Sequence, residues 1–149
     1  MRWLLEAIGA AVALSVMFHG AAFAKAKTTR KAAAPCVAES AMSSLNVRAL
    51  QTELMVAALS CDETERYNAF VESRQDELSM YGQRLRATLK GRTNAFVTKV
   101  ANVSALNMDC AASRGLFVTV LSADQPQLDT IATTEWASKL HGYRVCTKR

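Results

Sequence analysis

A helical pattern of apolar positions runs along residues 62–91. These positions are spaced three, four or seven apart, so on a helix they would form one stripe facing a core: Tyr67, Phe70, Val71, Leu78, Tyr81, Leu85 and Leu89. Asp62 followed by Glu65 is typical of a capping box, in which each side chain bonds a free backbone N–H of the first turn. Lys90 and Gly91 form a stop signal, because a cation favours the carbonyl end of a helix and glycine readily adopts the left-handed conformation. The pattern therefore predicts one long helix from Asp62 to Gly91.

A second helical pattern comes before this one, from about Asn46 to Ser60. Its apolar positions cover a broad arc, which predicts a helix that packs on more than one side: Val47, Leu50, Leu54, Met55, Ala57, Ala58 and Leu59. Asn46 is a candidate N-cap. The connection through Cys61 is so short that we expect the two helices to pack as an antiparallel hairpin. The preceding stretch, Cys36–Ser44, has no clear period and is predicted to be extended or to form a short turn.

Two more helical segments follow Gly91. The first begins with Thr93 as its cap and is predicted to break at Asn107, because Asn and Asp side chains compete for the hydrogen bonds of the helical backbone. Asp109 is then the predicted cap of the next helix, Cys110–Leu121.

A last helical segment is predicted between a start signal at Asp124 and Pro126 and a stop at Gly142. The chain contains neither a hairpin signal such as Asn-Gly nor an internal repeat. The predicted fold class is therefore all-α, a small helical bundle of four to five helices that buries its own core.

The N-terminal residues carry the pattern of an export signal. Arg2 supplies a positive charge, Ala7–Phe18 is an uncharged apolar run, and Ala22-Phe23-Ala24 matches a small-x-small cleavage site. The competing interpretation is an uncleaved membrane anchor, for which the uncharged run is barely long enough. We therefore expect three parts: a signal peptide at residues 1–24, a flexible basic linker at 25–35 and a single helical domain at 36–149.

The net charge of +5 is concentrated in two tails. The basic residues there are Lys25, Lys27, Arg30, Lys31, Lys148 and Arg149. No aromatic residues are interleaved with them. We therefore interpret the two tails as solubilising segments and not as a surface that binds nucleic acid.

The four cysteines all lie beyond the signal, at Cys36, Cys61, Cys110 and Cys146. An even count in an oxidising compartment predicts two structural disulfides, which can connect in three ways. Pairing Cys36 with Cys61 and Cys110 with Cys146 is favoured because each bridge closes the shorter loop. The rival pairing, Cys36–Cys146 with Cys61–Cys110, would tie the two ends of the domain together.

Other candidate chemistry is sparse. The chain has no Cys-x-x-Cys redox motif, and its cysteines are too scattered to resemble a zinc site. His141 is the single histidine beyond the signal, and its place beside Gly142 favours a helix-cap or surface role. Glu65, Glu72 and Asp76 share a side of the long helix with interleaved arginines, which is typical of a solvated face. No catalytic, cofactor-binding or metal-ligating residue is predicted.

These patterns favour an exported, non-enzymatic binding or accessory protein of the cell envelope, periplasmic or secreted. Its expected partner is an envelope protein or polymer, without nucleic acid and without stable membrane insertion after signal cleavage. One alternative is a carrier of a small ligand or metal, with a pocket between helices near Trp136, Tyr143 and His141. A second alternative is an enzyme whose site the patterns do not identify, with His141 and the carboxylates of the long helix as the residues to test.

Overall fold

The computed structural model describes residues 34–122, 127–132 and 135–147, all within one unit of the chain, Ala32–Arg149. The predicted signal peptide and the linker up to residue 33 lie outside the described residues, as does the start signal at Asp124 and Pro126. Two short strands, β1 (Cys36–Val37) and β2 (Arg144–Val145), pair in parallel, with Cys36 opposite Arg144.

Seven helices lie between these strands in the described parts of the chain. They are α1 (Glu39–Ser60), α2 (Thr64–Ser73), α3 (Gln75–Leu89), α4 (Thr93–Leu106), α5 (Cys110–Val120), α6 (Leu128–Ala132) and α7 (Glu135–His141). The predicted all-α class is confirmed. The helices outnumber the four to five expected because two stretches predicted as single helices are each divided.

Helix α1 is the centre of the fold. It has 22 residues and contacts each of the other six described helices. Leu45, Leu50 and Leu54 are fully buried. Leu50 and Leu54 share one side of the helix and pack in one core, whereas Leu45 lies on another side and packs in a second. The broad apolar arc in the sequence therefore predicted correctly that this helix packs on more than one side, as a helix at the centre of a bundle must.

The start of α1 differs from the prediction. The helix begins at Glu39, so the expected extended or turn structure applies only to the short strand Cys36–Val37. Asn46 does not cap the helix, because its side chain is buried and lies 2.8 Å from Nε2 of His141. The role of the Asn46 side chain is therefore a tertiary contact and not the capping of a helix end.

The long helix predicted from Asp62 to Gly91 is wrong in two respects. It is interrupted at Arg74, which separates α2 from α3, and Arg74 is almost fully buried with Nη1 3.0 Å from Oε2 of Glu77. The interruption lets Phe70 of α2 and Tyr81 of α3 both pack into one core with α1. The predicted capping box is also absent, since Asp62 has a left-handed backbone (φ 59°) and makes no cap to α2.

Helices α3 and α4 both end where the sequence signals predicted an end. Lys90 and Gly91 both have positive φ angles, 46° and 87°, so the predicted stop is confirmed. α4 ends at Leu106, and Asp109 caps α5 by accepting hydrogen bonds from the backbone N–H groups of Ala111 and Ala112. The predicted break and recapping in this stretch are therefore confirmed.

The core has two parts that share α1. The first core contains Val47, Leu50, Leu54, Ala57, Phe70, Tyr81, Phe117, Val120, Leu128, Ile131 and Ala132. The second core contains Leu45, Ala49, Leu85, Leu89, Phe96 and Val100. Helix α1 contributes residues to both cores. Helix α3 does so as well, with Tyr81 in the first core and Leu85 and Leu89 in the second.

Polar contacts attach the short helix α6 to α3. Oε1 of Glu77 accepts a hydrogen bond from the backbone N–H of Leu128 (2.6 Å), at the first residue of α6. One turn along α3, Tyr81 hydrogen-bonds the Asp129 carboxylate. Burial and this carboxylate raise the pKa of Tyr81 to about 12. These bonds satisfy the backbone N–H of Leu128 and the Tyr81 hydroxyl, while Oδ1 of Asp129 is buried without a partner among the described residues.

The observed disulfides are Cys36–Cys146 and Cys61–Cys110, so the favoured pairing was wrong and the rival pairing is present. The reason is the length of α1. Its 22 residues span about 33 Å and separate Cys36 from Cys61, which no disulfide can bridge. The parallel strands instead bring the two ends of the domain together, with Cα atoms of Cys36 and Cys146 4.9 Å apart.

The two disulfides differ in accessibility, which predicts the order of their reduction. Cys36 and Cys146 are exposed, whereas Cys61 is buried with 8% of its surface accessible. Because exchange needs the attacking thiolate to reach a sulfur, we expect a mild reductant acting on the folded protein to open Cys36–Cys146 first. Differential alkylation followed by peptide mass mapping measures this order. In denaturant the difference should disappear, and a Cys36–Cys61 linked peptide or earlier opening of Cys61–Cys110 would contradict the structure.

Candidate functional site

A cleft of about 300 Å³ opens between helices α1, α4, α5 and α7. We call it the interhelical cleft, and its lining residues are Glu53, Ser104, Asn107, Asp109, Ala112, Ser113, Leu116 and Leu140. Most of the lining surface is apolar, with a few polar groups interspersed. That combination is typical of small-molecule sites, in which apolar walls hold the ligand and a few polar atoms orient it.

The α4–α5 connection shapes one wall of the cleft. Oδ1 of Asp109 accepts hydrogen bonds from the backbone N–H of Ala111 (2.9 Å) and of Ala112 (3.2 Å). Asn107 donates from Nδ2 to the carbonyl of Val103, which closes the last turn of α4. Each of these local bonds holds a lining residue in place.

A disulfide holds this wall against α1. Cys110, the first residue of α5, is bonded to Cys61 at the end of α1. Ser113 is buried and its hydroxyl contacts the Met108 sulfur at 3.3 Å, which further anchors the first turns of α5. The wall is therefore preorganised by covalent and hydrogen bonds.

Two oxygen atoms in the cleft lack a hydrogen bond within the described part of the protein. Ser104 has 1% of its surface accessible, and its Oγ has no partner there. Oε2 of Glu53 is likewise buried and has no partner among the described residues. A buried polar atom without a hydrogen bond costs about 1–3 kcal/mol. Both oxygens are closed to solvent, so a molecule in the open cleft would reach them only if the surrounding side chains moved.

The charge of the lining is acidic. Glu53 and Asp109 carry carboxylates, and none of the described side chains that line the cleft is basic. The Asp109 carboxylate is partly used in capping α5, whereas Oε2 of Glu53 is not engaged. Glu53 is therefore the stronger electrostatic feature of the cleft.

His141 lies in the core, and not in the cap or surface position expected from the sequence. Its side chain is fully buried beside the rings of Phe96 and Tyr143, each about 6 Å away between centroids. Nδ1 accepts a hydrogen bond from the backbone N–H of Tyr143 (3.0 Å), so the proton of the neutral ring is on Nε2, which donates to Oδ1 of Asn46 (2.8 Å). Both ring nitrogens are therefore occupied.

The surroundings of His141 disfavour its charged form. Burial and the ammonium of Lys99 lower the pKa of His141 from 6.5 to about 4. Lys99 approaches because its Nζ donates to the carbonyl oxygen of His141 at 2.8 Å. Gly142 makes room for this lysine, since a Cβ there would lie 2.9 Å from Nζ, and its positive φ of 72° also favours glycine.

The structure separates the other residues considered from the sequence. Glu65, Glu72 and Asp76 are exposed, as the interleaved charges predicted, and none of them lines the interhelical cleft. Tyr143 does meet His141, but both pack with Phe96 in a closed aromatic group, and the Trp136 side chain lies outside the described residues. Neither Tyr143 nor His141 lines the interhelical cleft.

Sequence reasoning missed the residues of the cleft. The sequence patterns pointed to neither Glu53 nor Ser104 as a candidate site residue. One signal was available for Glu53: a helix apolar over a broad arc buries even its polar residues, as it does Thr52. Ser104 had no such signal, because its burial depends on helices distant in sequence.

Comparisons of the chain with protein-family models, with curated proteins and with solved structures find no match. The fold and the cleft alone therefore define the class, a small all-α domain with two disulfides and an apolar, acidic cleft. None of the described helices is long and apolar enough to cross a bilayer. Across those same residues, His, Cys, Asp and Glu side chains form no group of three that could hold a metal ion.

The buried neutral histidine predicts a loss of stability in acid. Between pH 6.5 and about 4 the unfolded chain binds a proton on His141 that the folded chain does not, so stability falls as pH decreases through this range. The shift from 6.5 to about 4 corresponds to about 3 kcal/mol when complete. Urea unfolding at pH 7, 5.5 and 4.5 measures this loss.

The matched variant is His141→Gln, which keeps a donor and an acceptor but does not titrate. Carboxylates also titrate in this range, so the quantity of interest is the difference in pH dependence between the two proteins. We expect the variant to be less stable at pH 7 but to lose less stability on acidification. Parallel pH profiles would contradict the assignment of a buried, neutral His141.

Proposed function

We propose that this chain is an exported, non-enzymatic binding protein of the cell envelope that binds through the interhelical cleft. The observation that carries the proposal is the cleft itself, which is mostly apolar and has a few polar residues in its lining, among them Glu53 and Asp109. Apolar walls with a few polar groups are typical of binding sites.

Export is supported by the cysteines. All four form disulfides, and disulfides persist in oxidising compartments such as the periplasm or the exterior. The signal-peptide pattern at residues 1–24 agrees with this but lies outside the described residues. A periplasmic or secreted location is therefore part of the proposal.

The rigidity of the cleft favours a binding protein over an enzyme whose site has to move during catalysis. The Cys61–Cys110 bridge and the Asp109 cap hold the α5 wall in one position before any ligand arrives. A preformed site spends little binding free energy on ordering its own residues. This property suits a protein that captures and holds a partner.

A small-ligand carrier is the second candidate, and the size of the cleft favours it. A volume of about 300 Å³ lies at the lower end of the range for small-molecule sites. The carrier would use the same cleft, and not the region of His141, where both ring nitrogens are already hydrogen-bonded. The two candidates differ only in whether the occupant is free or is part of an envelope protein or polymer.

Filling the cleft tests the proposal. Ala112 lines the cleft yet is exposed, so Ala112→Trp adds bulk at the opening with little effect on the core. The full chain would be exported by its host, purified without reductant and examined by native mass spectrometry after mild crosslinking. We expect a mass lower by four hydrogens, cleavage before Lys25, and a bound species that Ala112→Trp loses.

The matched control is Ala95→Trp, which places the same side chain at an exposed position of α4 outside the cleft. This variant should keep the bound species. Retention of the bound species by Ala112→Trp would place binding elsewhere. A wild-type protein that captures nothing, but turns over a substrate, would favour an enzyme instead.

A further inference from the structure

We propose that one end of the helical bundle docks on a membrane surface that carries anionic phospholipids. We call it the basic end, and its exposed cations are Arg84, Arg86, Lys90, Arg92, Lys99 and Arg144. The contact is peripheral, with lipid phosphates beside the guanidinium and ammonium groups. None of these six residues lines the interhelical cleft, so this surface is separate from the cleft and does not rest on binding there.

Packing around the second core brings these cations to one end of the bundle. Leu45 from the start of α1, Leu89 from the end of α3 and Phe96 from the start of α4 pack together there. The strands lie beside them, since Val37 of β1 and Tyr143, directly before β2, pack against the same core. The end of α3, the connection to α4, the start of α4 and β2 carry the six cations, which therefore surround the end at which α1 begins.

The basic end has little negative charge to offset these cations. Between Glu77 and Asp109 the sequence has five basic residues and no acidic one. Glu39, at the first residue of α1, is the one acid that the described segments of this end carry. Positive charge therefore predominates there.

The six cations are free to meet an external anion. In the parts of the chain that the structure describes, none of them forms an ion pair with a carboxylate. Three of them donate hydrogen bonds, and the acceptors are neutral backbone carbonyls: Arg92 to Leu89, Lys99 to His141 and Arg144 to Ala34. Their positive charge is thus not neutralised within the described fold.

The opposite end of α1 carries the opposite charge. Three of the residues that follow this helix are acidic, Asp62, Glu63 and Glu65. The arginines near them are paired, since the Glu63 carboxylate contacts Nε of Arg66 at 3.3 Å and Nε of Arg114 at 2.7 Å. The bundle therefore has a basic and an acidic end, and the field of an anionic surface orients such a molecule with its basic end first.

The shape of the basic end favours a membrane surface over a linear polymer. A groove between the start of α1 and the end of α3 is lined by Ser40, Ala41, Ser44, Arg84, Ala87 and Thr88. Arg84 is the one cation of this lining, whereas a strand of polyanion is held by a groove with cations along it. A bilayer instead presents phosphates over a plane. Val145, beside Arg144, is 41% exposed and supplies an apolar side chain for the headgroup region.

Vesicle binding tests the proposal. The exported chain, cleaved before Lys25 and purified without reductant, is sedimented with vesicles of phosphatidylglycerol and phosphatidylcholine in equal parts, or of phosphatidylcholine alone. We expect binding to the anionic vesicles only, and we expect added salt to weaken it because ions screen exposed charges. Equal binding to both kinds of vesicle, or to neither, would overturn the proposal. Tighter binding to a short DNA duplex at the same salt concentration would also overturn it, in favour of a nucleic acid.

The double variant Arg86→Gln with Lys90→Gln removes two cations of the basic end, at exposed positions one turn apart on α3. One cation near an anionic membrane strengthens binding about fivefold, so we expect this variant to bind about twentyfold more weakly or worse.

The matched control is the double variant Arg66→Gln with Arg114→Gln, which removes the same charge from exposed positions at the acidic end. Surface ion pairs of this kind contribute little stability, so the control should fold, and it should keep most of its affinity because salt screens charges far from the membrane. Equal losses in the two variants would show that net charge alone drives binding. Unchanged binding in both would assign binding to the basic tails, and either result would overturn the proposal.

A measurement on the unaltered protein decides the matter if the Arg86→Gln, Lys90→Gln variant fails to fold, which circular dichroism would reveal. Anionic vesicles with nitroxide-labelled headgroups broaden the amide signals of the residues that approach the membrane. We expect the strongest broadening around Lys90 and Arg144 and the weakest around Glu63. Broadening that is strongest at the acidic end, or confined to the two tails, would overturn the proposal.

Discussion

The structure depends on one constraint, the central position of α1. A helix of 22 residues in contact with six others must place apolar residues over a broad arc, and it separates its two ends by about 33 Å. The separation decides which cysteines can meet. Since Cys36 and Cys61 lie at opposite ends of α1, each pairs with a residue brought to that end by another part of the fold.

The central position of α1 also explains why polar residues lie in the core. Asn46 on α1 bonds His141 on α7, and this bond joins the helix at the centre to the last helix of the chain. A hydrogen bond between two buried groups is directional, so it specifies how α7 lies on α1 more narrowly than apolar contact does. The neutral state of His141 follows from this position, because burial and the nearby Lys99 ammonium both lower the pKa of the ring.

The interhelical cleft follows from the same packing. α5 begins where the disulfide fastens it to the end of α1, and the connection before it carries the Asn107 and Asp109 bonds that orient the wall. Within this rigid frame, Glu53 and Ser104 keep oxygens that the described fold does not satisfy.

Local signals were sufficient for the class of fold and for many helix ends. Apolar spacing identified the helical segments, and Lys90-Gly91 and the Asn107–Asp109 turn were read correctly because their conformations depend on neighbouring residues alone. Interactions between distant residues decided the rest: the packing of Phe70 and Tyr81 against α1 on either side of the interruption at Arg74, the disulfide pairing, the burial of His141 against Asn46, and the place of Glu53 and Ser104 in the lining of one cleft. The sequence by itself thus determined an all-α protein with paired cysteines. Only the tertiary structure decided which residues meet, because such contacts depend on how whole helices pack and not on the spacing of residues within them.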